Sequence, residues 1–151
     1  MDTTNAPTVS ISLTAKNAGA ALDFYKAAFR AEEVFKLADP EGVVAHSEFK
    51  IGNTKIFLSG ESPDWKAFAM PEGTLSSNIL CIFSENCDAD YERALAAGAE
   101  SIQGPKNEFW GMRSCVVADP FGYRWSIGQI VEELTPEEVA KRAEDLFSQD
   151  N

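Results

Sequence analysis

His46 is the only histidine in a chain of 151 residues, and Glu48 follows it at a spacing of two. In "GVVAHSEFKI" (42–51), alternation puts Val44, His46 and Glu48 on one face of a strand, opposite Ala45, Ser47 and Phe49. An imidazole beside a carboxylate has the makings of a general base with its orienting partner. Neighbours at i and i+2 stand roughly 7 Å apart by strand rise, so the pair suits action through a ligand or water better than as a dyad. A histidine hydrogen-bonded inside a packed barrel and a histidine in simple contact with a ligand are the competing readings.

Other residues could also do chemistry. Trp65 and Phe68 lie in a long loop, and Phe109 and Trp110 lie just before the seventh strand. Such aromatics can form a lid or stack on a flat ligand, or they can plug a core or a subunit interface. Arg113 and Arg124 either hold an anion or pair with some of the 24 carboxylates. Three cysteines without C-x-x-C spacing argue against a disulfide framework or a thiolate zinc site. Cys81 and Cys115 sit in apolar strand-like runs and are expected to be buried, inert thiols. No Gly-rich phosphate loop, G-x-S-x-G or dinucleotide fingerprint is present.

The formal charge of −11 disfavours nucleic acid and anionic membranes as partners and is compatible with a cationic or neutral ligand, although it also serves solubility alone. No apolar run approaches the roughly 18 residues of a membrane helix. "MDTTNAPTVS" lacks a basic segment followed by an apolar one, so a cytoplasmic location is expected.

The elements that must position these residues follow from periodicity. "TVSISLTAK" (8–16) reads as a strand, and Asn17 is a good N-cap. "AGAALDFYKAAF" places Ala21, Leu22, Tyr25, Ala28 and Phe29 on one helical face. Strands 32–39 and 42–51 flank the turn Asp39-Pro40-Glu41-Gly42, and Gly52-Asn53 turns the chain into strand 54–60. Residues 61–75 have no period and read as a linking loop. The pattern restarts: strand 76–84, a helix over 86–99 with Asp88 as its cap and Gly98 at its end, strands 100–106 and 111–119, the turn Asp119-Pro120-Phe121-Gly122 and a closing strand to Ile130. There, Trp125 and Ile127 point one way and Arg124, Ser126 and Gly128 the other. Asp23-Phe24-Tyr25 answers to Asp90-Tyr91-Glu92, and Gly52 to Gly122, so the order β-α-β-β-β occurs twice. A final helix begins with a capping box, Thr135 and Glu138 around Pro136. Its narrow stripe of Val139, Ala143, Leu146 and Phe147 is expected to dock on the body or on a neighbouring subunit.

Two tandem βαβββ units resemble the vicinal-oxygen-chelate superfamily of glyoxalase I, extradiol dioxygenases and bleomycin-resistance proteins. The PhnB-like subgroup is the nearest likeness. The segments that carry it are "AALDFYKAAFRAEE" (20–33), "VAHSEFKIGNTKIFLSG" (44–60), "FWGMRSCVVADPFGYRWSI" (109–127) and "VEELTPEE" (131–138). The resemblance implies an α+β fold in one domain over 1–151. Its two units, 8–60 and 76–130, would form a cupped mixed sheet with helices on the convex face, a cavity on the concave face and a C-terminal helical tail over 131–151. It also implies a homodimer.

Metal-dependent members hold the ion with imidazoles and carboxylates on the first and last strands of each unit. Carried over, those places fall near Ser10, near Ile56 or Phe57, near Ser77 and at Ser126. None offers His, Glu, Asp or Cys, so no cofactor and no divalent metal is expected. The resemblance thus implies a metal-free protein that binds a small aromatic or cationic molecule through Ser10, His46, Glu48, Trp65, Phe68, Ser77, Trp110, Arg124 and Ser126. The alternative is a lyase, isomerase or dioxygenase that is metal-dependent or uses His46 with Glu48.

Overall fold

The computed structural model describes residues 6–149. Two compact units emerge: the described residues up to Thr74 together with Pro120–Gly122, and Leu75–Asp119 together with the chain from Tyr123 onward. The fold is α+β, with the βαβββ order given twice and a C-terminal helix.

In the first unit, β1 (Ile11–Thr14), α1 (Ala18–Phe29), β2 (Glu32–Ala38), β3 (Val44–Ile51) and β4 (Thr54–Ser59) follow in order. The sheet order is β1-β4-β3-β2, with β1 parallel to β4 and the other pairs antiparallel. Asn17 caps α1 by accepting from the Ala20 N–H at 2.9 Å. The five apolar positions read from the periodicity of α1 are all buried. Tyr25 stacks on Phe49 and Phe29 at centroid distances of 5.3 and 6.2 Å, and Ile56, Leu58 and Leu13 complete that core. The first strand is shorter than 8–16 predicts and leaves Ser10 outside it. The linking loop contains a short 3-10 turn, Pro63–Trp65, and a bridge from Ser62 to Ala67.

Phe121, from the turn after Asp119, belongs to this unit and packs its ring against Phe24 and Tyr25. Gly122 has a φ of +92°, and a Cβ there would lie 2.5 Å from Met70 Cβ and 3.2 Å from the Thr74 carbonyl oxygen. Gly122→Ala therefore combines left-handed strain with a clash. It should cost about 2 kcal/mol, seen as a lower urea midpoint at unchanged m; an unchanged midpoint would show that the turn is not held as described.

In the second unit, β5 (Ile79–Phe83), α2 (Cys87–Ala97), β6 (Glu100–Asn107), β7 (Met112–Ala118) and β8 (Arg124–Ile130) repeat the pattern, with sheet order β5-β8-β7-β6. α3 (Pro136–Gln149) follows. Trp125, Ile127, Cys115 and Val117 are buried on one face together with Cys87 and Ala94 of α2.

Two expectations change here. Asn86, not Asp88, caps α2 by accepting from the Ala89 N–H at 3.0 Å; Asp88 lies inside the first turn, where its carboxylate is free for other partners. Cys81 is exposed rather than buried, because in the apolar run "ILCIF" only alternate residues reach the helix side and Cys81 has the other parity. The α3 capping box forms as read, with Thr135 and Glu138 each accepting the other's N–H. Leu146 and Phe147 of its stripe remain exposed.

Candidate functional site

Each sheet has one face against its helix and one facing away. In the first unit the two-residue turn at Gly52-Asn53 fixes the register of β3 on β4: His46 opposite Ser59, Glu48 opposite Phe57, and Lys50 opposite Lys55. Buried Ser47, Phe49, Ile56 and Leu58 define the helix side. His46, Glu48, Lys55, Phe57 and Ser59 therefore share the outer face. On β2, Phe35 pairs with Glu48 and Leu37 with His46, so both join that face. Ser12, paired with Phe57, joins it from β1.

These side chains form a connected group. His46 Nδ1 is 2.9 Å from Ser59 Oγ. His46 Nε2 is 3.8 Å from Glu48 Oε1, nearer than the backbone spacing suggests but too far for a hydrogen bond. Lys55 donates to Glu48 Oε2 at 2.9 Å, and its ammonium stands 5.1 Å from the centre of the Phe57 ring. The rings of Phe35 and Phe57 flank the imidazole, with centroids at 6.4 and 5.9 Å. The roles in the Ser59 contact follow the tautomer: with the proton on Nε2, the side facing the Glu48 carboxylate, Nδ1 accepts from the Ser59 hydroxyl. A ligand hydroxyl or amide between His46 Nε2 and Glu48 Oε1 could accept from the first and donate to the second.

Ser10 lies apart, donating to the Lys55 carbonyl at 3.2 Å. Trp65, at 86% exposure, and Phe68 project from the linking loop without joining the group. Of the two positions at the family's β4 place, Phe57 faces outward and Ile56 faces the helix.

In the second unit, Ser126 lies on the outer face of β8, between Cys81 of β5 and Val116 of β7. The Met112 methyl covers Gly128 on the same face. Ser77 falls before β5, and its carbonyl accepts from Arg124 Nη2 at 2.8 Å. Arg113 faces the helix side instead, with Nε and Nη2 on the two oxygens of Asp88 at 2.6 and 2.8 Å. These hydrogen bonds hold the Asp88 carboxyl below its ordinary range. Phe109 and Trp110 form an edge-on pair, with centroids 5.0 Å apart, in the β6–β7 turn. Among the described residues, no three His, Cys, Asp or Glu side chains gather as a metal-ligand set.

Sequence reasoning missed Lys55, Ser59 and Phe35. The signal for the first two was present: once Gly52-Asn53 is read as a two-residue turn, pairing across it is fixed. Phe35 could not be placed that way, because β2 slips register on β3 between Glu33 and Phe35.

Comparison with known proteins follows the same lines. Residues 8–127 match the family described as the Glyoxalase/Bleomycin resistance protein/Dioxygenase superfamily. An uncharacterised protein of Mycobacterium bovis is 34% identical over 136 residues, covering 88% of this chain and 90% of its own length. TioX from Micromonospora sp. ML1 superposes with a TM-score of 0.67 at 18% identity, over 83% of this chain and 99% of that one. The genomically encoded fosfomycin resistance protein FosX from Listeria monocytogenes, solved in complex with Mn(II) and sulfate, gives a TM-score of 0.61 at 22% identity, over 88% and 96% of the two chains.

Proposed function

Because the chain belongs to the Glyoxalase/Bleomycin resistance protein/Dioxygenase superfamily, we propose that it binds a small molecule without a metal, as a homodimer, on the outer face of its first sheet. The observation that carries this reading is the group His46–Ser59–Glu48–Lys55 set between the rings of Phe35 and Phe57. Aromatic faces beside a few convergent polar atoms are what a planar ligand with one hydroxyl or amide needs. The chemistry of the donors supports a metal-free reading. The places where the resemblance would put the ligands of metal-dependent members fall near Ser10, near Ile56 or Phe57, near Ser77 and at Ser126, and hydroxyl, alkyl and phenyl groups do not fit a divalent transition metal. No step of function is therefore routed through one. Exposed Phe35 and Leu37 on the sheet face, and Leu146 and Phe147 on α3, are compatible with a second copy.

A panel of planar and bleomycin-type antibiotics should contain a compound that raises the melting temperature of chelator-treated protein. His46→Ala and Glu48→Gln should each weaken it about tenfold, the worth of one hydrogen bond to a charged or buried partner. If no compound shifts the wild type, or the shift needs added metal, the reading fails.

The fixed imidazole supports a second reading, an enzyme in which His46 moves a proton. With Nδ1 taken by Ser59, Nε2–H would act as the acid. Turnover of any substrate later found should then vanish in His46→Ala.

A further inference from the structure

Cys87 and Cys115 take no part in the reading above, yet the fold brings them together. Both are fully buried. Cys87 is the first residue of α2, and its thiol donates to the Ile127 carbonyl at 3.4 Å. Cys115 stands opposite Ile127 in the β7–β8 ladder, with both side chains on the helix side of the sheet. Facing side chains of such a ladder lie about 5 Å apart at Cβ. The two sulfurs meet beside Ile127: the thiols hydrogen-bond to each other, and the Cys115 sulfur also takes a hydrogen bond from the Ile127 backbone.

Strand parity excludes the third cysteine. Cys81 lies on β5 beside Ser126, on the outer face, with the sheet between it and the other two. Chain length alone favours the opposite pairing. Cys81 and Cys87 are close in sequence, and shorter loops close at lower entropic cost. The structure therefore reverses the preference of the unfolded chain. A bond between Cys87 and Cys115 asks the sulfurs to close from contact to about 2 Å. Cys87 sits in the first turn of its helix, and helix ends open at the least cost.

We propose that Cys87 and Cys115 form a redox-controlled fastening: a dithiol in a reducing medium and, in an oxidising one, a disulfide that ties the start of α2 to β7. The oxidant is a low-molecular-weight disulfide. One cysteine thiolate attacks it, forms a mixed disulfide and expels one thiol. The second cysteine then attacks the protein-side sulfur of that bond and expels the other. The two protons and two electrons given up by the cysteines leave with the two small thiols. Neither sulfur is exposed in the native protein, so the exchange takes place as the chain folds or while the first turn of α2 is open, and the finished bond is sealed from reductant. The inference stands on the second unit alone and does not depend on the His46 group.

Wild type and Cys81→Ala, each unfolded in urea, are refolded into oxidised glutathione, alkylated and mapped as peptides without prior reduction. In most chains of both proteins the map should join Cys87 to Cys115, with wild-type Cys81 alkylated or carrying glutathione. Oxidation of the wild type while still in urea should instead favour the Cys81–Cys87 link. The bond closes a loop of about 30 residues, so the refolded, oxidised protein should have a urea midpoint about 1 M or more above that of the dithiol form. Dithiothreitol should regenerate the dithiol only once denaturant is present. Pairing through Cys81 in the refolded wild type, glutathione on Cys87 and Cys115 in place of the bond, an unchanged midpoint, or reduction without denaturant each overturns the assignment. Cys115→Ser should show no internal link after refolding; if it does not fold, the maps of wild type and Cys81→Ala decide alone.

Discussion

Of the three cysteines, only Cys81 should react with a thiol-specific disulfide reagent in the native protein at pH 8; Cys87 and Cys115 should react only after denaturant is added. Cys115 is fully buried, and that burial pushes its thiol from an ordinary 9.0 up to about 12. Thiolate is the attacking species, so a rise of three units lowers the reactive fraction about a thousandfold before access is considered. Burial also raises Cys87, which is sealed between α2 and β8 with its thiol directed at the Ile127 carbonyl at 3.4 Å. Both shifts have a consequence for folding. The native state holds these protons more tightly than the unfolded chain, so stability is fully present below about pH 9 and falls as pH rises from there towards 12. Cys81, by contrast, lies beside Ser126 on the outer face. Its labelling rate therefore reports on that face, and a ligand seated at Ser126 should slow it. Similar rates for all three thiols in native protein would refute the packing of α2 on its sheet.

The same cysteines illustrate what the sequence made legible. Apolar periodicity identified α1 and five of its seven buried positions, and alternation in "RWSI" sent Trp125 and Ile127 to the core and Ser126 to the other face. These signals are local: one residue's neighbours determine its side. "ILCIF" is apolar on both faces, so parity alone could not tell which residues would be covered, and Cys81 was misplaced. Asp88 looked like a cap because Asp is a good one, yet Asn86 sits at the first position with extended backbone and wins it. Glu108 and Arg113 are a different case. Their partners, Ser114 and Asp88, lie across a turn or on another element, and no period in the chain encodes such pairings. The His46 group was half visible: the imidazole and carboxylate were found from their spacing, whereas Lys55 and Ser59 needed the hairpin register.

Asp119→Ala should be among the most damaging single changes, at about 3–4 kcal/mol. Asp119 is buried, and its two oxygens serve two donors: Oδ1 accepts the Tyr123 N–H at 3.0 Å, and Oδ2 accepts the Trp125 indole N–H at 2.9 Å. Removing the carboxylate takes both bonds away, one of them buried and one part-buried, and losing the acceptor of a buried donor costs about 1–3 kcal/mol. That is a large share of the roughly 5–15 kcal/mol that keeps a domain folded. The indole bond also fixes Trp125, and through strand alternation Trp125 fixes which way Ser126 points. Trp125→Phe separates the two donors, since it deletes the indole N–H while leaving an aromatic core. In that background Asp119→Ala should cost about 1–2 kcal/mol less, a coupling measurable as a double-mutant cycle in urea. Strictly additive losses would mean that the indole–carboxylate bond does not hold β8 in register, and the outward setting of Ser126 would then need another cause.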